Sequence, residues 1–431
     1  MDFNDTYRRY SREELIDMYD MTEEQKVYFL PELERIEEYI YREYVKQQNA
    51  EEIKAKDQLF KDIWNCKCPE RIPVTQGVDY IASFEYAGLS PLRDLYSVDK
   101  ILEAMDKIMP EIDSDTNPIG MAVSLVSNKI LQPQNHVQAK DGFMQHPNFC
   151  AMKDDEYPIL VKDPQKFLDE IIDVRVNKAF HDKTPEEIEM VKLRDNVANM
   201  FYYRDLNAGL DWLNIKYARS TMNRSLGLSG APFDMIPNSS RNFSVVLVDI
   251  RRQPENVMEA VRVFTELFKT RIDNMAPGCE CGRVFMPLHL ATYMKGKDFD
   301  KFYWPTLKEI CEYIVASGRR FSLFCEDNWD RYVEYLNELP EESQMAFEYT
   351  DPALCVKTFG NKYSLAGFYP LDNIKSLSKE ENEYEVKKFL DIVAPTQKYT
   401  FRTDKGPINL SDCNLEVMKH VIATVKEYGK Y

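Results

Sequence analysis

From about Arg71 onward the chain alternates short apolar runs with longer amphipathic stretches. The runs IPVTQG, SVVLVDI, GRVFMPLH, RRFSLFCED, QMAFEYTD, YSLAGFY and KYTFRTD read as strands. Between them, PENVMEAVRVFTELFKTRIDNM puts Val257, Val261, Phe264, Leu267 and Ile272 on one helical face, with Pro254 suited to its first turn. Ser378 with Glu381 three residues on forms a capping box that opens a late helix. Strict alternation of strand and helix argues a parallel sheet, because a parallel pair needs a crossover connection. The strands number roughly eight and no Gly-x-Gly-x-x-Gly follows the first, so the spacing predicts a closed (β/α)8 TIM-type barrel rather than a doubly wound sheet.

Two segments depart from this rhythm. Residues 1–65 place Tyr28, Leu30, Leu33, Ile36, Ile40 and Tyr44 at helical spacing among many Glu and Tyr, which predicts a helical N-terminal extension ahead of a barrel over 66–431. The stretch from about 128 to 225, including HVQAKDGFMQHPNFCAMKDDEYPIL, reads as an insertion near the barrel mouth. With 431 residues, 44% of them hydrophobic, the chain can bury a large core. Its formal net charge of −17 disfavours nucleic acid as a partner. No apolar window is long enough to span a bilayer, and the polar start MDFNDTYRRYSREELIDMYD lacks a signal-peptide core, so no membrane association and a cytoplasmic location are expected. A homodimer is among the assemblies left open. Nine scattered cysteines imply no disulfide framework, and Cys66-Lys-Cys68 and Cys279-Glu-Cys281 are spaced too tightly for ordinary zinc knuckles.

In a parallel barrel the C-terminal ends of the strands face the pocket, so the residue on which an apolar run stops is the place to look for chemistry. The run ending at Phe324 stops on Cys325 and Glu326, the next on Glu348, and the preceding one on His289. Cys325, Glu326, Glu348 and His289 together make a donor set suited to Zn²⁺. An ionised carboxylate at the end of a buried strand is costly unless paired, solvated or metal-bound, which marks Glu326 and Glu348 as catalytic candidates. Asp115, in MPEIDSDTNPIG, is a third acid that a strand would deliver to the rim. Phe233, in the tight loop Gly230-Ala231-Pro232-Phe233, and His289, Trp329 and Tyr349 are the candidates to line a substrate pocket, the alternatives being a plain barrel turn at Phe233, a solvated loop at Trp329 and core packing for the rings.

These stretches, in this order, resemble the uroporphyrinogen decarboxylase superfamily. ERIPV is similar to its opening strand, and GAPFDMIPNSSRNF with LVDIRRQPENVMEAV to its Gly-Pro-Phe loop and following helix. PLHLATYMKGKDFDKFYWPTLKEI is similar to its most recognisable segment, with ELPEESQMAFEYTD and LAGFYPLDNI further on. The resemblance covers about residues 60–431 and implies a single (β/α)8 barrel with its site at the C-terminal mouth. True decarboxylases of that superfamily carry an Arg-rich loop after the first strand, which receives the carboxylates of a porphyrinogen. Here TQGVDYIASFEYAGLS offers no Arg or Lys between Arg71 and Arg93. The resemblance is therefore closer to the branch that exchanges methyl groups with a corrinoid protein. Zinc-binding members of that branch use a His-x-Cys where this chain has Leu323-Phe324-Cys325, and a late Cys where it has Asp404 and Lys405, with Cys413 further on. What the resemblance implies is a methyltransferase moving a methyl group between a small methylated compound and a corrinoid protein, with zinc as Lewis acid. The alternatives are a lyase like uroporphyrinogen decarboxylase and a barrel that binds a tetrapyrrole without catalysis.

Overall fold

In the computed structural model, residues 8–120, 124–140, 142–222, 226–275 and 283–431 are described. A short antiparallel hairpin, β1 (Val137–Gln138) and β2 (Met144–Gln145), stands apart from the main sheet. That sheet contains β3 (Leu226–Gly227), β4 (Arg283–Leu288), β5 (Arg320–Cys325), β6 (Gln344–Phe347), β7 (Ser364–Gly367) and β8 (Tyr399–Thr400), in sequence order and all parallel. Helices such as Pro254–Asp273, Trp304–Ala316 and Lys379–Val393 form the crossovers. Ser378 accepts from the Glu381 backbone and closes the expected capping box. At Gly367, φ is +86° and a Cβ would lie 2.2 Å from the Phe347 carbonyl oxygen, so only glycine lets β7 end against β6.

Outside this six-stranded ladder, single bridges join further segments of the chain. Val74 pairs in parallel with Phe401, beyond β8, and its carbonyl accepts from the Asp115 amide at 2.8 Å. Thr116 pairs in parallel with Ser220. Six strands form the continuous ladder among the described residues, and IPVTQG contributes a bridge rather than a strand.

One expected strand is a helix. SVVLVDI lies within the helix Phe243–Arg252, where the Asn242 side chain accepts from the Val245 amide as N-cap. Its buried residues Val246, Asp249 and Ile250 repeat at three and four, so helical burial overrides the β-branched composition.

The N-terminal residues fold as three helices, the last a 35-residue rod over Leu30–Trp64. Its end meets the strand-start face of the sheet. The Arg283 guanidinium stacks 3.3 Å from the Trp64 ring centroid, and Arg320 donates to the Trp64 carbonyl. Arg283 also donates to Gln344 at 2.6 Å, and Gln344 in turn accepts from Ser322 at 3.0 Å. No helix among the described residues is long and apolar enough to cross a membrane.

Asp115, expected at the rim, lies outside any strand and is held between Arg71 and Lys426 of the C-terminal helix. Its fully buried carboxylate accepts two hydrogen bonds of 2.7 Å from Arg71 and one of 2.8 Å from the Val74 amide. Burial alone would raise its pKa, but Arg71, Lys426 and the Val74 amide bring it below the usual carboxylate value. It is a framework residue that ties the first pairing to the C-terminal helix. Asp115→Asn is expected to cost about 3–5 kcal/mol by leaving Arg71 without its partner. Urea unfolding checks this, and a variant as stable as the parent protein would refute the framework role.

Candidate functional site

Three consecutive strands deliver their terminal side chains to one face. His289 follows β4, Glu326 follows β5 and Glu348 follows β6. His289 Nδ1 lies 2.8 Å from Glu326 Oε2, and the ring also hydrogen-bonds the Ser229 carbonyl. Burial of His289 opposes protonation, yet the bond to Glu326, the Asp234 charge and the Ser229 carbonyl carry the net shift above the ordinary histidine value. These partners favour the protonated ring more than water does.

Glu348 Oε2 accepts from the Asp327 amide at 2.6 Å, and the Glu348 amide donates to the Cys325 carbonyl at 3.3 Å. Burial pushes its pKa up, the Asp327 amide offsets part of this, and the Glu326 and Asp404 charges add to the rise. Neither acid pairs with the strand-start arginines. Arg319 donates to Ser317 and Met275, and Arg320 to Trp64, Asn65 and Glu342, at the other end of β5.

Beneath the rim lies Asp234, a residue that strand-end reasoning does not find. Its buried carboxylate accepts from Tyr303 Oη at 2.7 Å and from the amides of Ala231, His289 and Leu290 at 3.1, 3.2 and 3.1 Å. Burial raises its pKa against these donors. By gripping the His289 backbone it fixes where the imidazole stands. The one available signal was an acid inside the otherwise apolar stretch APFDMIP.

Several expected site residues are placed elsewhere. Successive strand residues point to opposite faces, so Cys325 cannot share a pocket with Glu326. Cys325 is fully buried toward Cys311 and Cys355 on the outer helices, and burial pushes its thiol well above the usual value. Trp329 is also fully buried, donating Nε1–H to the Glu326 carbonyl at 2.9 Å and packing against Phe299 and Tyr332. Phe233 is buried against Tyr303. Both rings are core rather than pocket wall. Tyr349 does stand at the surface, 50% exposed, with its hydroxyl accepting from Lys405 Nζ at 2.7 Å.

The donor set for zinc does not assemble. Among the described residues no three His, Cys, Asp or Glu side chains are placed to hold a metal ion. His289 and Glu326 make a pair, Glu348 is held by the Asp327 amide, and Cys325 faces away. Cys279 and Cys281 lie outside the described residues.

His289 lines a cavity of about 700 Å³ between the 128–225 segment and the loop after β3. Its walls include His136, His146, Phe149, Met235 and Phe243. The His136 and His146 rings meet edge-on at 4.5 Å, and burial lowers the His136 pKa. Three of the chain's five histidines therefore face one cavity, which has room for a small organic molecule.

Because the His289 pKa is raised on folding, its contribution to stability is complete below the unfolded value of about 6.5 and lost as pH rises through the folded value. The melting-temperature difference between the parent protein and His289→Gln is thus expected to shrink from about pH 6 to about pH 9. A difference that grows across that range would contradict a charged His289 paired with Glu326.

The family model for uroporphyrinogen decarboxylase (URO-D) matches residues 184–428. Among solved structures, a methyltransferase from Methanosarcina mazei superposes with a TM-score of 0.55 at 11% identity, covering 87% of this chain and 98% of that one. That identity speaks for the fold alone. No curated protein matches the sequence. The family match takes in more than half of the chain, including the strands that end at His289, Glu326 and Glu348, and on that match this chain belongs to the uroporphyrinogen decarboxylase family.

Proposed function

We propose that this protein is a methyltransferase that takes a methyl group from a small methylated compound at the strand-end face and passes it to a corrinoid held by a separate protein. The observation that carries this reading is His289, which lines the cavity and is paired with Glu326 behind it. Loss of a methyl group as a cation equivalent leaves its former oxygen, sulfur or nitrogen holding the bonding pair. A poised acid lets that atom leave as its conjugate acid. His289, steadied as the imidazolium by Glu326, would give its proton to the departing atom, and the neutral ring left behind, still held by Glu326, would regain a proton from solvent. A reduced corrinoid, when docked, supplies the nucleophile that receives the methyl group. Zinc is given no step, because its expected ligands do not converge.

The wider reading is a (β/α)8 barrel closed through the Val74–Phe401 and Thr116–Ser220 bridges, with residues 1–65 as an extension and 128–225 as an insertion that walls the cavity, acting in the cytoplasm. The likeness to the Methanosarcina mazei methyltransferase, which spans most of both chains, supports this fold. Decarboxylation of a porphyrinogen fits less well. The loop from Thr75 to Ser90 has no cation, and each missing charge-assisted bond forfeits roughly 1.5–3 kcal/mol.

The test is methyl transfer from candidate ethers, thioethers and methylamines to free reduced cobalamin, with uroporphyrinogen turnover run in parallel. Methylcobalamin is expected to form, and Glu326→Gln is expected to lower the rate ten-fold or more, about 1.4 kcal/mol, with folding intact. Turnover of uroporphyrinogen without methyl transfer would reverse the choice of branch. Stoichiometric zinc in protein prepared without chelator, lost in Glu326→Gln, would restore the metal-assisted route.

A further inference from the structure

A second polar cavity, of about 360 Å³, opens on the strand-end side between the segments that follow Val74, Thr116 and β8. Thr75, Gln76, Asp79, Asn117, Arg402 and Thr403 contribute to its walls. Arg402 is the residue that demands an explanation. It follows β8, yet its guanidinium carbon lies 4.7 Å from the ring centroid of Phe324 on β5. In the sheet β6 and β7 separate those strands, so the side chain must reach across the inner face of the sheet. Phe324 shares the face of β5 that Glu326 continues.

This cation has no acid of its own. No carboxylate among the described residues comes within ion-pair distance of Arg402, and the acids nearby are already engaged by backbone donors. Asp79 accepts from the Ile81 amide at 3.0 Å as a helix N-cap. Asp404 accepts from the amides of Leu371 and Lys405 at 3.0 and 2.7 Å, and Glu348 from that of Asp327 at 2.6 Å. A partly buried guanidinium left this way is costly, and burial indeed presses its pKa down. Stacking on Phe324 leaves the guanidinium edge, where its N–H groups point, available to a planar anion. On the wall of the same cavity, Asn117 uses its carbonyl oxygen to accept from Ile119 at 2.9 Å, while its amide N–H groups have no partner among the described residues.

We propose that Arg402, assisted by Asn117, is a carboxylate-binding subsite, and that the compound acted on at the strand-end face carries a single carboxylate. A lone guanidinium matches one carboxylate in a two-point, coplanar contact. It does not suit a ligand bearing many carboxylates. The inference rests on the reading that the strand-end face is where substrate binds, but it concerns the anion and not the methyl group.

The test uses the full chain and two probes, methoxyacetate and its neutral counterpart 2-methoxyacetamide, with affinities from ligand-detected NMR. Methoxyacetate is expected to bind at least about ten-fold more tightly. Arg402→Gln should bring the two probes to equal affinity, while Arg402→Lys, which keeps charge but loses the fork, should keep a reduced preference. Asn117→Ala should weaken methoxyacetate alone. Equal affinities in the parent protein, no detectable binding of methoxyacetate, or an undiminished preference in a folded Arg402→Gln protein would each overturn the proposal. Should Arg402→Gln fail to fold, a preference unchanged in both Arg402→Lys and Asn117→Ala would do the same. Because nothing here depends on turnover, a protein that transfers methyl groups yet shows no preference would sink the subsite alone. One that prefers the carboxylate yet transfers no methyl group would sink only the reaction.

Discussion

The carboxylate of Asp234 is closed off from solvent and satisfied by four donors from three separate segments. It joins the loop after β3, the end of β4 and Tyr303, which immediately precedes the helix Trp304–Ala316. An acid so placed is stable only while all its donors stay put, because each bond lost exposes a buried charge to a low-dielectric surrounding. The geometry above it inherits that rigidity. His289 cannot slide along its strand end without releasing Asp234, so the imidazole meets Glu326 from a fixed base.

Glu326 is steadied in a parallel way from the helical layer. Trp329 holds its carbonyl, and Trp329 is locked among Phe299, Tyr332 and their aromatic neighbours, with Phe299 and Tyr332 stacked at 3.9 Å. The aromatic richness of DKFYWP and NWDRYVEY thus serves the site indirectly. These rings do not touch the pocket; they keep the backbone that presents Glu326 from shifting.

Much of this arrangement was legible in the chain and some of it was not, for definite reasons. Apolar runs bounded by polar residues located β4 to β8, and the residue on which each run stops identified His289, Glu326 and Glu348, because a parallel sheet sends every strand end to the same side. Cys325 was misplaced by one residue of parity, which in a strand is the difference between pocket and outer helix. Asp115 looked like a strand-end acid because its partner, Arg71, lies 44 positions away and no local pattern reveals the pair. SVVLVDI has the composition of a strand, and only its burial rhythm and the Asn242 cap mark the helix. Arg402 was invisible as a site residue because what matters is the reach of a long side chain across the sheet, which sequence spacing does not encode.

The docking of Trp64 beneath Arg283 and Arg320 bears on how the chain is made. Arg320 follows Trp64 by 256 positions, so this part of the rod's floor cannot close until most of the polypeptide exists, although Met222 meets the same apolar end earlier. At a synthesis rate of about 5–20 residues per second, the apolar end of that rod waits roughly 10–50 s for its partners. A contact this distant in sequence raises the loop-closure entropy of the last folding step. During that interval Phe60, Ile63 and Trp64, which are buried together in the finished protein, present a sticky terminus to whatever else is in the cell. The cationic cover of that apolar end, from Arg283 and Arg320, is thus the part of the rod's burial that comes last in the order of synthesis.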